Sequence, residues 1–121
     1  MTRARLVVAS AIAVLIVVMA VIAGRSERLF GTWDIVVHGV LGNVLFTLAL
    51  IAVLLAFLGR ATGAAKAVSV IFLVLAFAQV GLGYVGRDTV DAAAWHVPNG
   101  VLLMGLAAFQ LSEFVRIRPA G

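Results

Sequence analysis

Four long stretches without a single charge govern everything this chain can fold into. They are "LVVASAIAVLIVVMAVIAG" (6–24), "IVVHGVLGNVLFTLALIAVLLAFLG" (35–59), "AVSVIFLVLAFAQVGLGYVG" (67–86) and "AAAWHVPNGVLLMGLAAFQLS" (92–112). Each is near the roughly 20 residues that cross a bilayer as a helix. Unpaired backbone is excluded from hydrocarbon, which leaves helices and closed barrels. The two-residue alternation of a barrel strand is absent, so the expectation is four transmembrane helices at about 6–24, 35–59, 67–86 and 92–115. Composition agrees: the 121 residues are 64% hydrophobic and 12% charged, against roughly 45–50% and about 25% in soluble domains.

The first stretch follows Arg3 and Arg5, as a secretory signal would. Its apolar run exceeds the usual h-region of roughly 7–15 residues. It is therefore expected to stay as the first helix. Connections are short, which predicts an all-α, up-down-up-down bundle in a single domain spanning 1–121. Small residues sit where helices can approach closely: Gly42, Ala49, Ala52 and Ala56 on the second helix, Ala76, Gly81 and Gly83 on the third.

Charge sets the orientation. In an alternating bundle both termini and the 60–66 connection share one side. They carry six of the nine basic residues: Arg3, Arg5, Arg60, Lys66, Arg116 and Arg118. The other side has Arg25, Arg28 and Arg87, offset by Glu27, Asp34, Asp88 and Asp91. The positive-inside rule puts both termini in the cytoplasm of a plasma-membrane protein. Trp33, Tyr84 and Trp95 fall at the outer boundary, where aromatic anchors collect. The net charge of +4 is spread over membrane flanks without an aromatic-interleaved polar surface, so nucleic acid is not an expected partner; the bilayer is. There is no cysteine, which excludes disulfides, thiolate metal sites and thiol nucleophiles.

The only two histidines are His38, near the start of the second helix, and His96, near the start of the fourth. Those helices run the same way, so both imidazoles lie at similar depth near the outer face. "HGVLGNVL" from His38 and "HVPNGVLL" from His96 share His-x-x-x-Gly, ending at Gly42 and Gly100. Gly24-Arg25 and Gly86-Arg87 close the preceding helices. The chain reads as two copies of one helical hairpin, each supplying one histidine. A glycine four residues on lies on the histidine's face of the helix and leaves room for a flat ring. The sharp reading is one haem b held by His38 and His96 as axial ligands near the outer face. Gly42 and Gly100 would line it, and Arg25, Arg28 and Arg87 would pair with its propionates.

Other readings stand beside it. Histidine near a helix end can be an ordinary interfacial residue. Asp34, His38, Asp91 and His96 together suit a divalent cation such as zinc, although aspartates at helix starts are equally explained as capping residues. A cofactor-free accessory or assembly subunit of a larger complex is the bland alternative. Gln79, Asn43 and Asn99 are expected to bond a neighbouring helix, or to steady a ligand histidine. Pro98 kinks the fourth helix if that helix starts near Asp91, and sits in its first turn if it starts near Val97. "GLGYVG" matches Gly-x-Gly-x-x-Gly but lies at a helix end, so it reads as helix packing and not as a nucleotide loop. Nothing resembles a hydrolytic triad, and no charge lies mid-span to mark a transport path.

"AQVGLGYVG…AAWHVPNGVLLMG" and "HGVLGNVL" resemble the Gln-x-x-Leu-Gly…His-x-x-x-Gly-x-Leu-Leu arrangement in the four-helix halves of the haem A synthase family. The chain also resembles small four-helix membrane proteins of actinobacterial type. The first resemblance implies axial roles for His38 and His96, on the second and fourth helices. Haem A synthases have two such halves, and this chain has the length and histidines of one. The implication is a half-sized, cytochrome-like redox or haem-handling protein. One haem near the outer face cannot carry electrons across roughly 30 Å of hydrocarbon. Quinol, a redox protein at the outer face or a second copy of the chain would then be its partner.

Overall fold

The computed structural model describes residues 2–25 and 32–116. It is an all-helical bundle of four elements: α1 (Thr2–Arg25), α2 (Thr32–Leu58), α3 (Gly63–Val85) and α4 (Val90–Arg116). All four are long and apolar enough to cross a membrane, and the chain is a transmembrane four-helix bundle. Backbones pack closely between α1 and α2, α2 and α3, α3 and α4, and α4 and α1, while those of α1 and α3 and of α2 and α4 stay apart. The helices thus form a square in chain order, and the parallel helices are its diagonals.

The helices run past the uncharged stretches. α1 begins at Thr2 and not near Leu6, α3 at Gly63 and not near Ala67, and α4 at Val90 and ends at Arg116. Charge interrupts hydropathy but not helicity: Arg3, Lys66, Asp91 and Glu113 all continue a backbone ladder that is indifferent to the side chain's polarity. Local capping fixes the ends. The Thr62 hydroxyl accepts from the Ala65 amide at 3.1 Å, opening α3. At the end of α2 the Ala61 amide reaches back to the Ala56 carbonyl at 3.0 Å, and Arg60 takes φ 52°, the left-handed position of a Schellman turn. Pro98 lies inside α4, so the reading with the helix starting near Asp91 is the right one. The Ala94 carbonyl has no amide to receive there.

The core holds Ile12, Leu45, Phe72 and Leu103, closed up by Ala49, Ala52, Ala76 and Ala107. A second cluster, toward the chain termini, packs Ala9, Ala56, Ala65 and Phe114. Small residues facing inward let the backbones approach, as expected for Ala49, Ala52, Ala56 and Ala76. Gly81 departs from that expectation: it is exposed, with nothing within 4 Å of where a Cβ would stand. Large apolar side chains such as Val14, Leu54, Val74 and Phe77 point outward, each more than half exposed. A coat of that kind is stable against lipid and not against water.

Candidate functional site: a histidine pair on the bundle axis

His38 and His96 are each the seventh residue of their helices, about 9 Å along the axis from the start. α2 and α4 are parallel diagonals, so equal depth places the two side chains opposite each other across the bundle. Their ring centres stand 6.0 Å apart, at an interplanar angle of 62°. The juxtaposition is tertiary: the α2 and α4 backbones stay apart, and the two side chains reach across.

Two cavities share this pair. One, of about 380 Å³, opens on the α3 side past Gly39, Gly42, Tyr84 and Arg87. The other, of about 260 Å³, lies toward α1 and α4, past Met19, Ala20, Gly100 and Met104. Both are lined mainly by apolar side chains and glycine. Each histidine has a buried Nδ1 without a hydrogen-bond partner among the described residues, an unusual cost in so apolar a setting.

A carboxamide relay anchors His96. The Asn99 side-chain amide donates to the Leu75 carbonyl at 3.0 Å and to Gln79 Oε1 at 2.6 Å. The Gln79 Nε2 lies 3.2 Å from His96 Nε2. Two glycines make space for this. A Cβ at Gly100 would stand 3.2 Å from Gln79 Nε2, and one at Gly83 would stand 3.1 Å from His96 Cε1 and 3.5 Å from its Nδ1. The nitrogen-bearing edge of His96 is therefore seated on α3, against Gly83 and Gln79, and not aimed at His38.

The sequence-based site maps onto this geometry unevenly. His38 and His96 meet, as the topology required. Gln79 and Asn99 join α3 to α4, and of the two only Gln79 touches a histidine. Gly100 is not an open shelf, because the Gln79 amide fills it. Gly42 does border open space, with Met19 Cε 3.6 Å from the position of a Cβ. Gly83, read as helix packing within "GLGYVG", is the residue that seats His96. The signal was its spacing: Gln79 and Gly83 are one helical turn apart on one face. Arg87 stacks its guanidinium over Tyr84, 5.1 Å from the ring centre, and reaches to 3.4 Å from a Cβ at Gly39, at the mouth of the larger cavity. Asn43 donates to the Tyr84 hydroxyl at 3.1 Å on the exposed α2–α3 face, and not to a histidine. The side chains of Arg25, Trp33 and Asp34, and the whole of Arg28, lie outside the described residues. Among the described residues no three His, Cys, Asp or Glu side chains gather into a metal-binding group, and Asp91 is exposed.

Fold and site together define a class: a membrane-spanning four-helix bundle with an imidazole pair on its axis. Comparison with known proteins returns no matching family model, no matching curated protein and no matching solved structure.

Proposed function

We propose that this chain is a b-type haem protein of the plasma membrane, with His38 and His96 as axial ligands, acting in electron transfer or haem handling. The observation that carries the reading is the spacing of the pair. The ring centres stand 6.0 Å apart, close enough for the two imidazoles to share one metal once His96 turns its Nε2 from Gln79 toward His38. The donor chemistry agrees: two half-buried imidazoles, with no carboxylate beside them among the described side chains, suit haem iron better than a hard cation. The two cavities flank the pair on different sides, giving a planar group space at both edges.

Bound there, the haem would supply one-electron exchange. The chain's own residues do the rest. His38 and His96 would hold the metal, Gly42 would leave room at the α2 wall, and the mainly apolar lining would favour the macrocycle over water. Arg87 stands at the cavity mouth, where an acidic edge would pair with its guanidinium, with Arg25 as the expected counterpart. The charge asymmetry orients the termini to the cytoplasm and the site to the outer leaflet. With both histidines in one half of the bundle, a quinol, an outer-face redox protein or a second copy would complete the electron path.

The test is expression in a haem-replete membrane host, purification in detergent, and absorption spectra before and after dithionite. A sharp reduced-minus-oxidised α band of six-coordinate haem b, lost in both His38→Ala and His96→Ala, is the expected result. A folded, colourless protein that takes up no added hemin would overturn the reading in favour of a cofactor-free accessory subunit.

A further inference from the structure

We propose that Gln79 is a positioning residue that fixes the tautomer of His96. Pinned by Asn99, its carboxamide holds the imidazole as the Nδ1–H form, with the lone pair on Nε2. The assignment follows from a chain of donors with one fixed end. The Leu75 carbonyl can only accept, so the Asn99 atom 3.0 Å from it is the amide nitrogen. That same nitrogen lies 2.6 Å from the Gln79 side chain, whose facing atom is therefore its oxygen. The other end of the Gln79 amide is then NH2, and it donates to His96 Nε2 at 3.2 Å. A ring nitrogen that accepts carries no proton, so the neutral ring is protonated at Nδ1.

The opposite tautomer would set an Nε2–H against the Gln79 N–H. Turning the Gln79 amide to relieve that would set its NH2 against the Asn99 NH2. Turning Asn99 as well would aim its oxygen at the Leu75 carbonyl. Every alternative creates a like-with-like contact inside an apolar bundle, whereas the assigned one leaves a single Nδ1–H unpartnered beside Gly83. Gly100 is what admits the Gln79 amide to this position. No such support for His38 is found among the described residues: its Nδ1 has no partner there, and α1 contains neither Asn nor Gln. The two histidines, matched in depth and spacing, are thus unequal: one has its tautomer imposed and the other does not.

The use of this device rests on the haem reading. Metals bind the unprotonated nitrogen of a neutral imidazole; Gln79 keeps the lone pair on Nε2 but itself donates to it, so a metal arriving there would have to displace the Gln79 amide. The tautomer itself requires no cofactor, so it can be tested without one. The measurement is nitrogen NMR of the haem-free, full-length chain with [15N]histidine in lipid nanodiscs, in mildly alkaline buffer, where imidazoles are neutral. His38→Ala leaves His96 as the sole signal. In that background Nδ1 is expected in the protonated range and Nε2 in the unprotonated range. Adding Gln79→Leu should revert the ring to the Nε2–H form that free histidine favours, and Asn99→Leu should mix the two. An Nε2–H ring with Gln79 present would overturn the proposal even if the Leu variants fail to fold, and so would a spectrum that Gln79→Leu leaves unchanged. Hemin added afterwards to the wild-type chain separates the two ideas: an Nδ1–H ring without hemin uptake keeps the tautomer and removes the haem reading, while uptake with an Nε2–H ring does the reverse.

Discussion

At the residue scale, space decides more than polarity. Gly81 and Gly83 belong to one short motif and carry the same intrinsic preferences, yet only Gly83 has a side chain pressed against it. Gly81→Val puts its methyl groups into lipid and is expected to change stability by less than about 0.5 kcal/mol. Gly83→Val drives a branched side chain into His96, whose ring is held at the adjoining Nε2 by Gln79, and is expected to cost about 1–3 kcal/mol. Thermal unfolding of both variants in the same detergent measures the difference. Equal melting temperatures would remove the close seating of His96 on α3. The sequence showed both glycines equally well; the face each one presents depends on a helix rotation that only packing against α2 and α4 sets.

At the element scale, α3 and α4 are fastened at two levels. In one half of the bundle the Gln79–Asn99–Leu75 relay joins them. In the other half Gln110 donates to the Ser69 hydroxyl at 2.8 Å, both residues fully buried, and the Ser69 hydroxyl in turn donates to the Ala65 carbonyl at 2.7 Å. Gln110 reads from the sequence as an interfacial residue near a helix end. The structure corrects this: Gln110 faces inward from α4 and is fully buried against Ser69 of α3. Interhelical hydrogen bonds in lipid contribute about 0.6 kcal/mol on average and at most about 1.7. A double-mutant cycle of Ser69→Ala and Gln110→Leu should give a coupling energy in that range. Zero coupling would mean that lipid or water replaces the bond at no cost.

For the whole molecule, orientation is the property that sequence charge predicts and that the fold then has to obey. The absence of cysteine makes a clean test possible. A single cysteine at Ala64, exposed at the start of α3, and another at Asp88, in the α3–α4 turn, lie at opposite ends of the bundle. In intact cells a membrane-impermeant maleimide should label Asp88→Cys and spare Ala64→Cys. The reverse pattern would invert the site's leaflet and remove the outer-face partners from consideration. The square arrangement of helices follows from the same short connections, and it makes α2 and α4 diagonal. Two residues at equal depth on diagonal helices meet at the axis, where a cofactor site in a bundle is built.

What the sequence by itself determined was the number of helices, their alternation, and the equal depth of the two histidines. These depend on hydropathy, connection length and position along the chain, all of which are local. It also singled out Gln79 and Asn99, since a carboxamide in a lipid-spanning helix must find a partner. What only the tertiary structure decided was which partner. Gln79 meets His96 instead of a backbone group, Gly100 is filled instead of open, and Gly83 is a seat instead of a spacer. Each of these depends on the rotation and register of α3 against α4. Those are fixed by the interlocking of Ala76, Leu103 and Ala107 in the shared core, a collective outcome that no single helix encodes.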